Sequence, residues 1–411
     1  MNEPRRVYLD NNATTPVHPK VIEAMLPFFK DGFGNPSSGH AYGRFVKNKI
    51  SESREIVANA IGAEPSEIIF TSGGTEADNI AICGSAAGHT KKTDRTRLVT
   101  TTIEHPAVLE TVKHLAKNGY EARYMPVDNE ALVNPDSLND MINNETAIVS
   151  VMHANNEVGT IQPIREISEI AKSYGALMHT DAVQTFTKIP INVDDVGVDL
   201  LSLSGHKING PKGIGALYIR KGSKIKPIIH GGHHEFGLRA GTENVAGIIG
   251  LAEAVRIGIE NLVEDANHAQ KMRDELEKRI TKTIPFVWLN GHREKRIPNT
   301  LNMSFECVEG EALLINLDMA GIAISTGSAC SSGSLDPSHV LLAMGIPHEI
   351  VHGSLRFSFG PTNTIEDIDY VMTHLPRIID MVRQISPLWD SDNGKVLTVE
   401  EAAIGSLHVG H

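Results

Sequence analysis

Short apolar, β-branched runs alternate along the first half of the chain with longer stretches of helical period. EIIFTS (67–72), RLVTTTI (97–103), TAIVSVMHAN (146–155), ALMHTDAV (176–183) and DLLSLS (199–204) read as strands, and a helix opens at GTEADN (74–79) after the first of them. This alternation predicts an α/β sheet with helices on its faces. Polar residues stand just beyond the apolar core of these strands: Thr71 and Ser72, Glu104 and His105, Asn155 and Asn156, Asp181, and His206 with Lys207. In such sheets ligands collect at the carboxyl ends of the strands, so these residues form the first candidate site.

From about residue 243 the pattern turns helical. NTLNMSF (299–305), GEALLINLDMAGI (310–322) and GSLRFSF (353–359) then predict a second, α+β unit. Thr364 and Asp367 form a capping box ahead of an apolar stripe of Ile365, Ile368, Val371, Leu375, Ile378, Val382 and Ile385, which predicts a closing helix packed on a core. Residues 388–411 follow a proline with no clear period and read as a loose terminus or a docking segment.

The 411 residues suffice for a large and a smaller domain, and 41% of them are apolar. A net charge of −12 without a long basic run argues against a nucleic-acid surface. No apolar stretch reaches membrane-spanning length and the N-terminus lacks a signal-peptide core, so a cytoplasmic protein with no membrane partner is expected. The three cysteines, Cys83, Cys307 and Cys330, form no CxxC, which disfavours disulfides and thiolate metal sites.

TSGGTEADN puts Gly73, Gly74 and Thr75 at a strand-to-helix junction, where free amides and the helix dipole suit a phosphate; a simple turn with a threonine cap fits equally well. SLSGHKINGPKGIG (202–215) lacks the order of a nucleotide-binding P-loop. Lys207 within it is either an ordinary turn lysine or a Schiff-base lysine, with Ser204 and His206 as neighbouring donors. One phosphate subsite plus a nearby lysine favours pyridoxal phosphate over a nucleotide. Asp181 is then the acid for the ring nitrogen, Gln184 a donor to the phenolic oxygen, and His105 a stacking group whose ordinary pKa of about 6.5 suits proton transfer. Cys330 sits in STGSACSSGS, a composition that predicts an exposed loop and a reactive thiol, whereas Cys83 and Cys307 read as structural. His230, His233 and His234 lack the accompanying spacing of a metal site, and no metal is expected.

Taken in order, YLDNNATTP, NPSS, TSGGTEADN, EHPAV, HANNEVGT, HTDAVQ, SGHKINGPKGIGALY, RAGTENV and STGSACSSGS resemble a cysteine desulfurase of the NifS/IscS type, over residues 7 to about 385. The resemblance implies a fold-type I pyridoxal-phosphate enzyme, a transferase with a mainly parallel seven-stranded sheet in a large domain (15–260). It further implies a small α+β domain (1–14 and 261–387) carrying the Cys330 loop, followed by a tail (388–411). It makes Lys207 the Schiff-base lysine and Asp181 the ring-nitrogen partner. Gly74, Thr75, Ser204, Gly205 and His206 line the phosphate; Asn156, Gln184 and His105 approach the ring. Thr242 reaches the neighbouring subunit's phosphate in a homodimer. Arg356, which the residues alone leave open to a surface salt bridge, takes the substrate carboxylate beside Asn156, and Cys330 carries a persulfide made from L-cysteine. An iron–sulfur scaffold is the expected acceptor. Two departures from the family pattern, Pro361 and the pair His233 and His234, concern loop detail. A sister enzyme such as a selenocysteine lyase, which needs no loop cysteine, and a silent assembly scaffold remain as alternatives.

Overall fold

The structure, a computed structural model, describes residues 5–89, 95–326 and 337–397. Its strands run β1 (Val7–Tyr8), β2 (Ile68–Thr71), β3 (Arg97–Thr101), β4 (Glu121–Met125), β5 (Thr146–Ser150), β6 (Leu177–Asp181), β7 (Leu200–Ser204) and β8 (Gly215–Ile219) in the first half. In the second come β9 (Val287–Asn290), β10 (Thr300–Phe305), β11 (Ile322–Ala323), β12 (Ser325–Thr326) and β13 (Ser354–Ser358). A seven-stranded sheet has the order β2-β8-β7-β6-β5-β3-β4, in which only β8 runs against its neighbours. Each strand anticipated from the pattern is present in it.

Both faces of this sheet are buried, as a mainly parallel sheet requires. Alternate residues divide between them. Phe70, Val99, Val149, Met178 and Leu201 pack under the Ala41–Ala60, Ile164–Ser173 and Val245–Glu260 helices. Ile69, Leu98, Ile148, Leu200 and Leu217 face Ala77, Ile80 and Ala81 of the Gly74–His89 helix. That helix covers the middle strands and aims its N-terminus at their carboxyl ends.

A second sheet, β12-β13-β10-β9, is antiparallel and carries its own core with the Leu262–Thr283, Gly310–Met319 and Ile365–Gln384 helices. The N-terminus joins this unit: β1 pairs with β11 and Asp10 bridges to Ser358. The chain passes between the two units at Asn261, which ends one long helix and starts the next.

The closing helix begins at the capping box of Thr364 and Asp367 and buries Ile368, Val371, Leu375, Ile378 and Val382. Ile385 departs from the expected stripe: it lies past the last turn, 79% exposed, because the face it continues has no core left to meet. The described part of the tail docks. Trp389 packs edge-on to Phe286 and under the guanidinium of the fully buried Arg383, and the Cys307 thiol donates to the Leu388 carbonyl. Among the described residues, no helix is long and apolar enough to cross a membrane.

Candidate active site

The carboxyl ends of β2, β3, β5, β6 and β7 open into a cavity of about 320 Å³ whose remaining wall comes from Asn12, Ala13, Ser325 and Arg356. The antiparallel unit thus completes a site that the parallel sheet begins.

Beyond β7 the chain makes one tight turn, Gly205–Lys207. A Cβ on the buried Gly205 would stand 2.9 Å from Ile214 Cγ2 and 3.0 Å from the Pro211 carbonyl, so the close approach of this turn requires glycine. The turn projects Lys207 into the cavity, where its Nζ donates to the carbonyls of Asn12 (2.5 Å) and Ala13 (2.8 Å).

Gly74, Thr75, Ser204 and His206 line the cavity. The first-turn amides of the Gly74–His89 helix have no intrahelical carbonyl to reach and carry the positive end of its dipole. A Cβ on Gly74 would come within 2.8 Å of Val183 Cγ2, on the cavity wall. The Ser204 hydroxyl is buried without a hydrogen-bond partner. His206 is neutral, its pKa lowered to about 4 by burial and then by Lys207; its Nδ1 pairs with the Thr14 hydroxyl at 3.1 Å.

Asp181, also on the cavity wall, closes β6, its Oδ1 accepting from the Val183 amide at 2.9 Å. Burial pushes its pKa up to about 6, against the pull of that amide and of Lys207. Gln184 donates through Nε2 to the Asn12 carbonyl (3.0 Å) and accepts at Oε1 from Lys188 (3.2 Å), which fixes the orientation of its amide. His105 caps the Pro106–Lys117 helix, its Nδ1 accepting from the Ala107 amide at 3.1 Å, so the ring proton sits on Nε2. The ordinary imidazole pKa expected for it does not apply: burial, then Lys207 and His339, lower it to about 4. His105 is a neutral donor here and a poor base.

Arg356, on β13, is not the surface residue its sequence context allowed, since only 3% of it is exposed. Its Nη1 donates to the Asn156 carbonyl (3.0 Å) and its Nη2 to Asp10 Oδ1 (2.9 Å) and the Ser325 hydroxyl (3.1 Å), while Nε lacks a partner. A buried guanidinium with an unused donor at a cavity wall suits a carboxylate.

Gly74, Thr75, His105, Asn156, Asp181, Gln184, Ser204, His206, Lys207 and Arg356 all line this cavity. Gly205 is the buried first residue of the turn, Thr242 is exposed elsewhere, and Cys330 lies outside the described residues. The flanks of its segment are placed: Ser325 is on the cavity wall, and the Ser338 hydroxyl donates to the buried Glu157 at 2.5 Å. His230 and His233 are exposed, and among the described residues no group of three or more His, Cys, Asp or Glu side chains could hold a metal ion.

Sequence reasoning assigned no role to Asn12, Asp78 or Ser325. Asn12 is the hub of the site: its Nδ2 donates to the Asn156 carbonyl and Thr300, its Oδ1 accepts from Asn299, and its own carbonyl receives Lys207 and Gln184. The polar run DNNATT straight after a short strand was the available signal.

The features fit a pyridoxal phosphate: an unpartnered hydroxyl and free helix amides for the phosphate, an amine for the aldehyde and a buried carboxylate for the ring nitrogen. A family model, Aminotransferase class-V, matches residues 7–371. The chain is 53% identical to a cysteine desulfurase IscS of Dictyoglomus turgidum, over 93% of this chain and 97% of that one. A solved NifS-like protein superposes with a TM-score of 0.86 at 41% identity, covering 92% of this chain and all of the other. SspA in complex with cysteine superposes at 0.77 with 37% identity, over 87% of this chain and all of the other.

Proposed function

The chain belongs to the aminotransferase class-V family and is a pyridoxal-phosphate-dependent cysteine desulfurase, and from that premise we propose how its residues divide the work. The reaction takes L-cysteine and the Cys330 thiol to L-alanine and a Cys330 persulfide. The observation that carries the division is that Lys207, Asp181 and the partnerless Ser204 hydroxyl share one cavity with Arg356.

Ser204, His206 and the amides of Gly74 and Thr75 would hold the phosphate over the turn at Gly205, Asp181 the ring nitrogen, Gln184 the phenolic oxygen, and Lys207 the aldehyde carbon. When bound, the cofactor supplies an electron sink that labilises bonds at the amino acid's α-carbon and, through it, the C–S bond. Arg356 binds the substrate carboxylate beside Asn156 and so fixes which α-carbon bond faces Lys207. Lys207 Nζ moves the α-proton. His105, with its proton on Nε2, donates toward the reacting atoms. Cys330 as thiolate attacks the substrate sulfur: the new S–S bond forms as the C–S bond breaks, and the carbon left behind takes a proton to give alanine.

A homodimer completes the phosphate subsite with Thr242. An exposed apolar face supports it, with Leu26, Phe29, Phe33, Tyr42 and Phe45 all at least half exposed. The persulfide passes to an iron–sulfur scaffold protein in the cytoplasm.

The test follows the visible absorption of the purified protein on adding L-cysteine, together with alanine release and labelling of a Cys330 persulfide. Cys330→Ser is expected to keep the cofactor band but make no persulfide. Release of alanine and sulfide by Cys330→Ser at the parental rate would overturn the assignment.

A further inference from the structure

Asp78 lies on the buried face of the Gly74–His89 helix, 1% exposed, and lines the same cavity as Asp181. Its Oδ1 has no hydrogen-bond partner. Ser202 pulls its pKa down from nearby, and His179 Nε2 stands 3.6 Å from Oδ1. His179 and Asp181 are two residues apart on β6 and therefore share the sheet face that this helix covers.

Every group facing Asp78 bears on its charge. His179 is held between Ser150 (2.8 Å) and Ser202 (3.0 Å), and burial lowers its pKa to about 3, so it offers no cation. Glu104, reached from the loop after β3, is buried, with one oxygen taken by Thr101 and Met152 and the other unpartnered. Lys207, Arg356, His105 and His206 also line the cavity, and Lys207 acts on Asp181. Among the described residues Asp181 thus has a cation to answer it, and no cation bears on Asp78. Two carboxylates that share a dry site cannot both ionise without a compensating charge. Burial and the neighbouring Asp181 both raise the pKa of Asp78.

We propose that Asp78 stays protonated beside Asp181, so the one negative charge of the pair lies on Asp181, where the ring nitrogen needs it. The inference rests on the assignment of Asp181 to that nitrogen.

Asp78→Asn supplies that amide, and Asp78→Ser is a second variant should the first fold poorly. Infrared difference spectra, parent minus variant, are recorded on the loaded enzyme and on the apoprotein, with Glu104→Gln identifying the band of Glu104. The expected result is loss of one protonated-carboxyl band in both states. The pH midpoint of the visible band should move by no more than a few tenths of a unit, because a neutral amide replaces a neutral acid. Loss of an ionised-carboxylate band instead, or a midpoint shift of about one unit or more, overturns the proposal. Failure of the Asp181 assignment shows separately, as an Asp181→Asn enzyme that keeps its cofactor affinity and spectrum while the Asp78 band persists.

Discussion

Replacing Arg356 by lysine isolates recognition of the substrate from cofactor chemistry. Lysine keeps the positive charge opposite Asp10, so that carboxylate keeps a cation, but it loses the planar fork and the Nε donor, the one nitrogen of the side chain without a protein partner. A charge-assisted hydrogen bond to a carboxylate contributes about 1.5–3 kcal/mol, and each ~1.4 kcal/mol is tenfold, so kcat/KM for L-cysteine should fall by roughly 10- to 150-fold. Most of the loss should appear in KM, because the carboxylate is held throughout the reaction. Lysine cannot reach the Asn156 carbonyl and the Ser325 hydroxyl at once, so a modest loss of stability is also expected. The assay is steady-state alanine formation against cysteine concentration, with the cofactor absorption and thermal midpoint of the same preparation as controls. A folded, fully loaded Arg356→Lys enzyme with parental KM and kcat would refute the reasoning, since the substrate carboxylate would then lie elsewhere.

Gly74→Ala puts a methyl group within 2.8 Å of Val183 Cγ2 and should weaken pyridoxal phosphate binding, measured by apoprotein titration, by about tenfold or more; adding Val183→Ala should recover most of it. The buried His153, whose pKa burial lowers to about 4, binds a proton unfolded below about pH 6.5 but not folded, so its stabilisation is present above that pH and lost as pH falls toward 4. At ~1.4 kcal/mol per pKa unit this amounts to at most about 3 kcal/mol, and His153→Gln should flatten the acid limb of a urea-midpoint against pH plot by that amount. Glu235 accepts two hydrogen bonds from Arg54 and one from the Phe70 amide while Glu235 and Phe236 both hold positive φ. Glu235→Gln leaves the Arg54 charge without its partner and should cost about 3 kcal/mol by chemical denaturation, with Arg54→Met in the same chain restoring part of it.

The site is assembled across two units of the chain. Lys207, Asp181, His105 and the Gly74 turn come from one sheet edge, while Arg356 and Ser325 come from a different sheet. Thr326, the last described residue before the segment that carries Cys330, ends β12 of that second sheet. Movement of one unit against the other would therefore change the distance between the Lys207 amine and the Arg356 guanidinium directly.

Strand positions in the first half were legible because a strand buried on both faces writes itself as a short apolar run, and polar residues after such a run mark the sheet's open edge. Lys207 and Asp181 could be proposed on that ground, and the ordered set of motifs gave the family. The closing helix was equally plain from its capping box and stripe, up to Ile385. What the chain could not disclose is what depends on encounters between distant segments. Asn12, one position in a polar turn, becomes the hub of the cavity only because residues 156, 184, 207 and 299 meet there. His105 loses its ordinary pKa because other segments bury it, and Arg356 is buried because the N-terminus returns to cover β13 with Asp10. Periodicity and motif order are local properties, which sequence alone determines; burial, protonation and the pairing of Asp78 with Asp181 are sums over neighbours, which only the tertiary structure decides.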